Sequence, residues 1–172
     1  MRRTALLLAL ASICGLSGCL SEFSVEATPA SSPRFLPEQF FAGATHGEGV
    51  LATRGRADRP FQVTSTGHAG SDGSFVVEQK IAYAEGKLEQ RSFSIRRTGE
   101  GEYAGSLTGA SGAVTARAEG NTFHLRYTIT KPVLTMEQWI YLQPDGRTVL
   151  NRATVRLLGI PVAHVSERIT RE

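Results

Sequence analysis

The chain has 172 residues, with 19 basic and 16 acidic side chains and a formal net charge of +3. This length suits one domain with a substantial hydrophobic core. The nearly balanced charge argues against a nucleic-acid-binding protein, which needs Lys and Arg clustered on one face.

The first 18 residues resemble a secretory signal peptide. Arg2 and Arg3 precede an apolar stretch from Ala5 to about Gly15, and small residues follow it. An uncleaved membrane anchor is the alternative, but a spanning helix needs about 20 apolar residues and this run is shorter. We therefore expect residues 1–18 to be removed after export by the general secretion route.

The sequence LSGC at residues 16–19 resembles the lipobox of bacterial lipoproteins, in which the cysteine receives a diacylglyceryl group and becomes the first residue. Cys14 does not fit this pattern, because the bulky Ile13 precedes it. After processing, Cys19 has no partner for an intramolecular disulfide. We therefore predict lipidation of Cys19 rather than a buried or disulfide-bonded cysteine. More than one acyl chain would attach the protein stably to a membrane.

The residues after Cys19 indicate in which membrane the lipoprotein is anchored. An aspartate at the next position usually retains such lipoproteins in the inner membrane of Gram-negative bacteria, whereas Leu20 and Ser21 stand here. The resemblance therefore implies anchoring in the outer membrane, with the domain in the periplasm. Loss of two arginines also leaves 17 basic and 16 acidic residues, a net charge of +1. Neither the charge nor the export signal suits a nucleic-acid partner.

Residues 19–36 are predicted to form a disordered tether behind the lipidated cysteine. Residues 20–37 read LSEFSVEATPASSPRFLP, with three prolines, four serines and no helical or strand period. The alternative is an irregular arm that packs on the domain through Phe23 and Phe35.

Residues 37–172 are predicted to form an all-β domain. Apolar and polar residues alternate with period two, and breaks rich in Gly, Asp, Asn and Pro separate the runs. Short connections of this kind join sequence neighbours into an antiparallel meander. The predicted strands cover residues 48–54, 61–69, 74–83, 88–97, 102–107, 112–119, 122–130, 136–143, 148–157 and 161–169.

The alternation is clearest in NTFHLRYTIT, where Phe123, Leu125 and Tyr127 face one way and polar side chains the other. A meander of about eight to ten such strands can bury its apolar face and hide its edges by closing into a barrel. A membrane-spanning barrel would need longer strands with apolar outward faces. We therefore predict an up-and-down barrel whose interior is filled by side chains or holds one small ligand.

Four segments carry a family resemblance: FFAGATHGEG, GEGEYAG, RYTI and WIYLQPDGRTVLNRAT. They resemble the bacterial lipoproteins of the domain of unknown function 3833 family, over a stretch from about Pro37 to the C-terminus. Phe93 stands where a tryptophan is usual, and Ile140 where methionine is usual. The resemblance implies a lipocalin-like, or calycin-type, barrel attached to an envelope membrane, with no established reaction.

The sequence has no recognisable catalytic, cofactor or metal motif. Asp58, Asp72 and Asp145 lie in predicted turns, and the four histidines lack ligand spacings such as HExxH. The Gly109–Gly112 stretch misses the nucleophile-elbow pattern and lacks its strand–turn–helix context. We therefore predict that the protein is not an enzyme and has no cofactor.

Polar residues at strand positions are the remaining unusual feature. If the AEGK turn pairs Tyr83 with Leu88, Glu78 and Arg91 lie diagonally on one face. Adjacent Asn151 and Arg152 must point to opposite faces, so one of them faces inward. The candidate cluster, which either locks the strand register or orients a ligand headgroup, comprises Glu78, Arg91, Arg126, Trp139, Tyr141, Asn151 and Arg152.

Three functions remain open. The first is a barrel that binds a hydrophobic small molecule or lipid, the second an interaction protein with a filled core, and the third an enzyme. Small strand residues such as Ala52 and Ser65 favour a cavity, whereas Phe75 and Phe123 favour filling. We rank ligand binding first, with fold analogy carrying much of that preference.

Overall fold

A short helix and ten β-strands make up the fold. The computed structural model describes residues 28–131 and 133–172, so the predicted signal peptide, Cys19 and Phe23 lie outside the described residues. No helix within these ranges is long and apolar enough to cross a membrane. The elements are α1 (Pro37–Phe40), β1 (Gly43–Thr53), β2 (Arg59–Ala69), β3 (Phe75–Tyr83), β4 (Leu88–Gly99), β5 (Glu102–Leu107), β6 (Val114–Glu119), β7 (Thr122–Thr130), β8 (Leu134–Leu142), β9 (Thr148–Leu157) and β10 (Ile160–Arg171).

The ten strands form one closed antiparallel barrel. Each strand pairs with its sequence neighbours, and β10 returns to pair with β1. This arrangement confirms the predicted all-β class and up-and-down meander. The clearest difference is that β1 begins at Gly43 rather than at residue 48. Its first residues, GATH, show no apolar alternation, but β2 and β10 supply backbone partners for them on both sides.

The meander gives the barrel two different ends, because antiparallel neighbours alternate in direction. The connections after β2, β4, β6 and β8 lie at the same end as α1, and we call this the plugged end. The connections after β1, β3, β5, β7 and β9 lie at the opposite end, which we call the open end.

Three phenylalanines before β1 fill the plugged end. Phe35, Phe40 and Phe41 are buried, and the ring centroid of Phe35 lies 5.6 Å from that of Phe123 in β7. Gly67 in β2 makes this packing feasible, since a Cβ there would overlap the carbonyl oxygen of Phe41. Burial of each large apolar side chain contributes about 1.5–3 kcal/mol, so the plug is a substantial part of the core.

The segment that carries Phe35 corrects the tether prediction for residues 28–36. The Phe35 amide donates to the Gly120 carbonyl at 2.7 Å. The Ala30 amide donates to Asn121 Oδ1 at 2.7 Å, and the Asn121 amide donates back to the Ala30 carbonyl at 2.8 Å. The prolines prevent a regular strand here, yet the neighbouring amides still find acceptors on the β6–β7 turn. The packed arm, stated above as the alternative, is what the structure contains in this segment.

The apolar core consists of two clusters. A large cluster surrounds Phe123 and Val149, both fully buried, whereas a separate small cluster of Phe61, Val63, Ile81 and Tyr83 lies nearer the open end. The space left between the barrel walls forms the candidate site.

Candidate functional site

The barrel interior contains a cavity of about 550 Å³. This volume falls within the range of roughly 300–1,000 Å³ that is usual for small-molecule sites. The walls are mainly apolar, because the inward positions of the strands are the apolar ones of the period-two pattern. The apolar lining includes Val63, Val77, Ile81, Phe93, Leu125, Ile140 and Val155.

The cavity extends from the plug to the open end. Phe41 and Phe123 border it at the plugged end, whereas Leu51, Gln90 and Gly109 border it beside the open-end connections. A ligand would therefore enter between the open-end turns and place its inner end near the plug.

One wall of the cavity carries a strip of hydrogen-bonding side chains. Gln138, Asn151 and Glu167 come from the adjacent strands β8, β9 and β10, and all three line the cavity. Asn151 Nδ2 donates to Glu167 Oε2 at 2.9 Å, and Gln138 Nε2 lies 3.5 Å from Asn151 Oδ1. We call these three residues the polar strip.

Two glycines of β1 make room for the acidic member of the strip. A Cβ on Gly47 would lie 2.7 Å from Glu167 Oε1, and one on Gly49 would lie 3.0 Å from Glu167 Cβ. Side chains at these positions would therefore push against Glu167.

The carboxyl group of Glu167 has a raised pKa. Desolvation raises the pKa of its carboxyl from 4.5 to about 7, against the opposing effects of the Asn151 hydrogen bond and the Arg91 charge. Glu167 lines the cavity, so a bound ligand can contact it. Near neutral pH the carboxyl is therefore present in both forms, and its protonated form can donate a hydrogen bond to a ligand.

Arg91 is the cation of the cavity. Arg91 Nη2 donates to Glu89 Oε2 at 2.8 Å, and Lys87 Nζ lies 2.7 Å from Glu89 Oε1. Desolvation opposes ionisation of Glu89, but the hydrogen bonds from Lys87 and Arg91 lower its pKa overall. The Arg91 charge also opposes the pKa increases of Glu167 and Tyr127, so its influence extends across the cavity.

Tyr127 adds a phenol to the cavity lining. Desolvation raises its pKa to about 12, so the hydroxyl remains protonated. In the structure that hydroxyl donates to Met136 Sδ at 2.7 Å. A thioether is a weak acceptor, so a ligand oxygen would be a better partner for this donor.

The predicted pairing of β3 with β4 is wrong by one residue. Leu88 pairs with Ala82 instead of Tyr83, and Arg91 pairs with Gln79. Gly86 has a φ of 89° and places a bulge in the turn, where the Tyr83 amide donates to the Lys87 carbonyl at 2.9 Å. A one-residue shift reverses the faces of a strand.

The predicted polar cluster is therefore divided between the two faces of the barrel. Arg91 and Asn151 line the cavity. Glu78 is exposed and pairs with Ser92, so Glu78 and Arg91 do not share a face. The residues that alternate to the outer face are Arg126, Trp139, Tyr141 and Arg152.

The outer members form a surface strip of their own. The Trp139 ring stacks on His124 with centroids 3.8 Å apart, and the Tyr141 ring lies nearly parallel to Trp139 with centroids 6.4 Å apart. Glu137 Oε1 lies 2.9 Å from His124 Nε2 and 3.2 Å from Arg126 Nε. Arg152 Nη1 donates to Ser166 Oγ at 3.1 Å. These cross-strand contacts support the register of β7–β10 rather than the cavity.

Sequence reasoning missed Glu167, Gln138 and Glu89. A signal for Glu167 was present, because it interrupts the series Ala163, Val165 and Ile169 at an otherwise apolar, inward position of β10. Gln138 likewise lies between two inward apolar residues of β8.

The family model described as "Protein of unknown function (DUF3833)" matches residues 13–171. A comparison with curated proteins finds no match.

Solved structures share the barrel at low sequence identity. The S-type phycobiliprotein lyase CPES from Guillardia theta superposes with a TM-score of 0.62 and 8% identity, covering 78% of this chain and 90% of that one. Rv2717c from M. tuberculosis superposes with a TM-score of 0.62 and 13% identity, covering 80% of this chain and 99% of that one. A DUF3598 protein from Nostoc punctiforme superposes with a TM-score of 0.61 and 12% identity, covering 86% of this chain and 53% of that one. These similarities establish a lipocalin-like fold.

Proposed function

From the premise that this chain belongs to the DUF3833 family, we propose that it is a non-catalytic, envelope-anchored protein that binds one hydrophobic small molecule or lipid in its barrel. The observation that carries the proposal is the 550 Å³ cavity with apolar walls and one polar strip. Ligand pockets commonly combine such walls with a few convergent polar groups.

The polar strip supports binding over a purely structural barrel. Burying a carboxyl is costly, and apolar residues of similar volume often give a more stable core. A filled barrel would need neither Glu167 nor the glycines that accommodate it. The alternative of an interaction protein with a filled core is therefore less well supported than ligand binding.

The lining also limits the ligand chemistry. Its apolar walls suit an alkyl or ring system, and Gln138, Asn151 and Glu167 suit a hydroxyl, an amide or a protonated carboxyl group. An anionic ligand headgroup would be attracted by Arg91 but repelled by the ionised form of Glu167, and a cationic headgroup would meet the reverse. We therefore favour a hydrophobic molecule with a neutral hydrogen-bonding group.

One structural neighbour is named a lyase of phycobiliproteins. At 8% identity, that similarity is evidence for a shared fold alone. Our proposal of binding without catalysis rests on the cavity lining. Among the described residues that line the cavity, no hydroxyl or thiol group is hydrogen-bonded to a histidine or a carboxylate.

Anchoring forms the second part of the proposal. Its support is the lipobox-like LSGC sequence at residues 16–19, together with Leu20 and Ser21. We propose removal of residues 1–18, acylation of Cys19 and attachment to the outer membrane of a Gram-negative bacterium, with the barrel in the periplasm. Residues 20–27 would link the acylated cysteine to the packed arm.

Native mass spectrometry of residues 20–172, purified without detergent, tests the binding proposal. This chain keeps every contact of the described residues, and we expect an added mass of one hydrophobic molecule that denaturation releases. Val155→Phe should displace it, since Val155 lines the cavity, whereas Thr154→Phe on the outer face is the matched control. A domain that stays empty and fails to take up an added fatty acid, fatty alcohol or fatty amide would contradict the proposal.

A further inference from the structure

The open end of the barrel carries an exposed apolar rim. Leu88, Leu157, Leu158 and Ile160 are 77%, 44%, 72% and 59% exposed, and all four lie in or beside open-end turns. In the described part of the chain, Trp139 is the other large hydrophobic residue with this degree of exposure. The rim therefore concentrates apolar surface around one end of the barrel, which marks a site of interaction.

The turn between β9 and β10 presents its leucine at a conformational cost. Leu157 pairs with Ile160, and Leu158 and Gly159 between them have φ values of 50° and 84°. Two positive values in a two-residue hairpin loop favour Asn-Gly, because a branched apolar side chain is strained in this region. A leucine in a strained, exposed position does not stabilise the fold, which points to a role in binding another molecule.

The connections at the open end are also more cationic than those at the plugged end. Its connections contain four basic and two acidic residues, which are Arg54, Arg56, Asp58, Glu85, Lys87 and Lys131. The plugged-end connections contain one basic and three acidic residues, which are Asp72, Glu100, Asp145 and Arg147. The two sets of connections thus carry opposite net charge, +2 at the open end and −2 at the plugged end.

Cations and apolar tips are neighbours at the open end. The Leu158 amide donates to the Val133 carbonyl at 2.8 Å, which brings the β9–β10 tip beside the turn that contains Lys131. The Arg54 amide donates to the Val162 carbonyl at 3.0 Å, close to Ile160. Leu88 directly follows Lys87.

We propose that the open-end rim docks on a phospholipid bilayer that carries anionic headgroups. The apolar tips insert at the level of the headgroups while the adjacent cations contact the phosphates, a combination that strengthens interfacial binding. Docking in this orientation places the cavity entrance against the lipid. The inference goes beyond ligand binding, because a barrel with an empty cavity would dock in the same way.

Flotation of residues 20–172 with phospholipid vesicles tests the proposal without any acyl anchor. We expect binding to vesicles that contain phosphatidylglycerol, weaker binding to phosphatidylcholine alone, and loss of binding as salt screens the charges. The double variant Leu88→Ser/Leu158→Asn should reduce the vesicle-bound fraction about tenfold or more, since binding scales with the apolar area inserted. Asparagine suits the turn at residue 158, so this variant keeps its fold.

Two controls make the result specific. Trp139→Ala removes an exposed apolar side chain from the barrel wall, and Arg117→Glu reverses a charge near the plugged end. Both should bind vesicles like the unaltered chain, whereas Lys131→Glu should weaken binding. Absence of flotation at low salt, equal loss in the controls, or binding to an acidic protein but not to vesicles would overturn the proposal. Val155→Phe, which places a larger side chain in the cavity, should still float, so failure of ligand binding and failure of docking are distinguishable.

Discussion

Replacement of Glu167 by glutamine should remove a component of the pH dependence of folding. Desolvation raises the pKa of this carboxyl from 4.5, its ordinary value, to about 7 in the barrel. The folded state therefore binds the proton more tightly than the unfolded state. The stability that protonated Glu167 contributes is fully present below pH 4.5 and is lost as the pH rises through about 7.

The size of the effect follows from the shift. At about 1.4 kcal/mol per pKa unit, the free energy of unfolding should lose about 3 kcal/mol from this group. Other carboxyl groups titrate too, so the quantity to measure is the difference between the original chain and Glu167→Gln. As the pH rises from about 5 to about 8, we expect the free energy of unfolding of Glu167→Gln to increase by about 2–3 kcal/mol relative to that of the original chain.

Urea unfolding followed by the fluorescence of Trp139, the single tryptophan, measures this difference. Glu78→Gln is the matched control, because its exposed side chain remains in water on the outer face of β3. It should follow the original chain across the same pH range. Parallel pH profiles for Glu167→Gln and the original chain would show that Glu167 is not held in a desolvated site.

Three further predictions concern the plug, the cavity wall and the anchor. Phe35→Ala should cost about 3–5 kcal/mol in urea unfolding, because the side chain is fully buried; a cost below about 1 kcal/mol would indicate a loosely attached arm. Gly47→Ala should lower the free energy of unfolding by about 1–3 kcal/mol, because it crowds the Glu167 carboxyl, and by less in a Glu167→Ala background. Strictly additive effects would show that the two residues do not interact. Cys19→Ser should abolish incorporation of labelled palmitate, and label on that variant would exclude Cys19 as the acylation site.

Most of the strand plan was predictable, because period-two alternation and turn residues are local signals. The bounds of β5, β7 and β9 coincide with the predicted strands. The register of β3 with β4 was not predictable in this way, since a single positive-φ glycine in the turn decides which residues oppose each other. That one-residue difference moved Arg91 into the cavity and Glu78 out of it.

The plug and the polar strip depend on contacts between distant parts of the chain. Phe35 lies in a proline-rich segment without periodicity, and its burial depends on Phe123 and Gly120, far along the chain. Glu167 could be recognised as an inward charge, but its room comes from Gly47 and Gly49 on a neighbouring strand. Complementarity between residues that are far apart in the sequence leaves no periodic pattern in any one segment.

The ring of backbone hydrogen bonds limits how other proteins can recognise this barrel. Every strand in the described residues is paired on both sides, so no strand offers a full edge of free amides and carbonyls to an incoming strand. Recognition by β-augmentation, and templated sheet growth of the folded molecule, are thereby closed off. A protein partner would have to read side chains and turns.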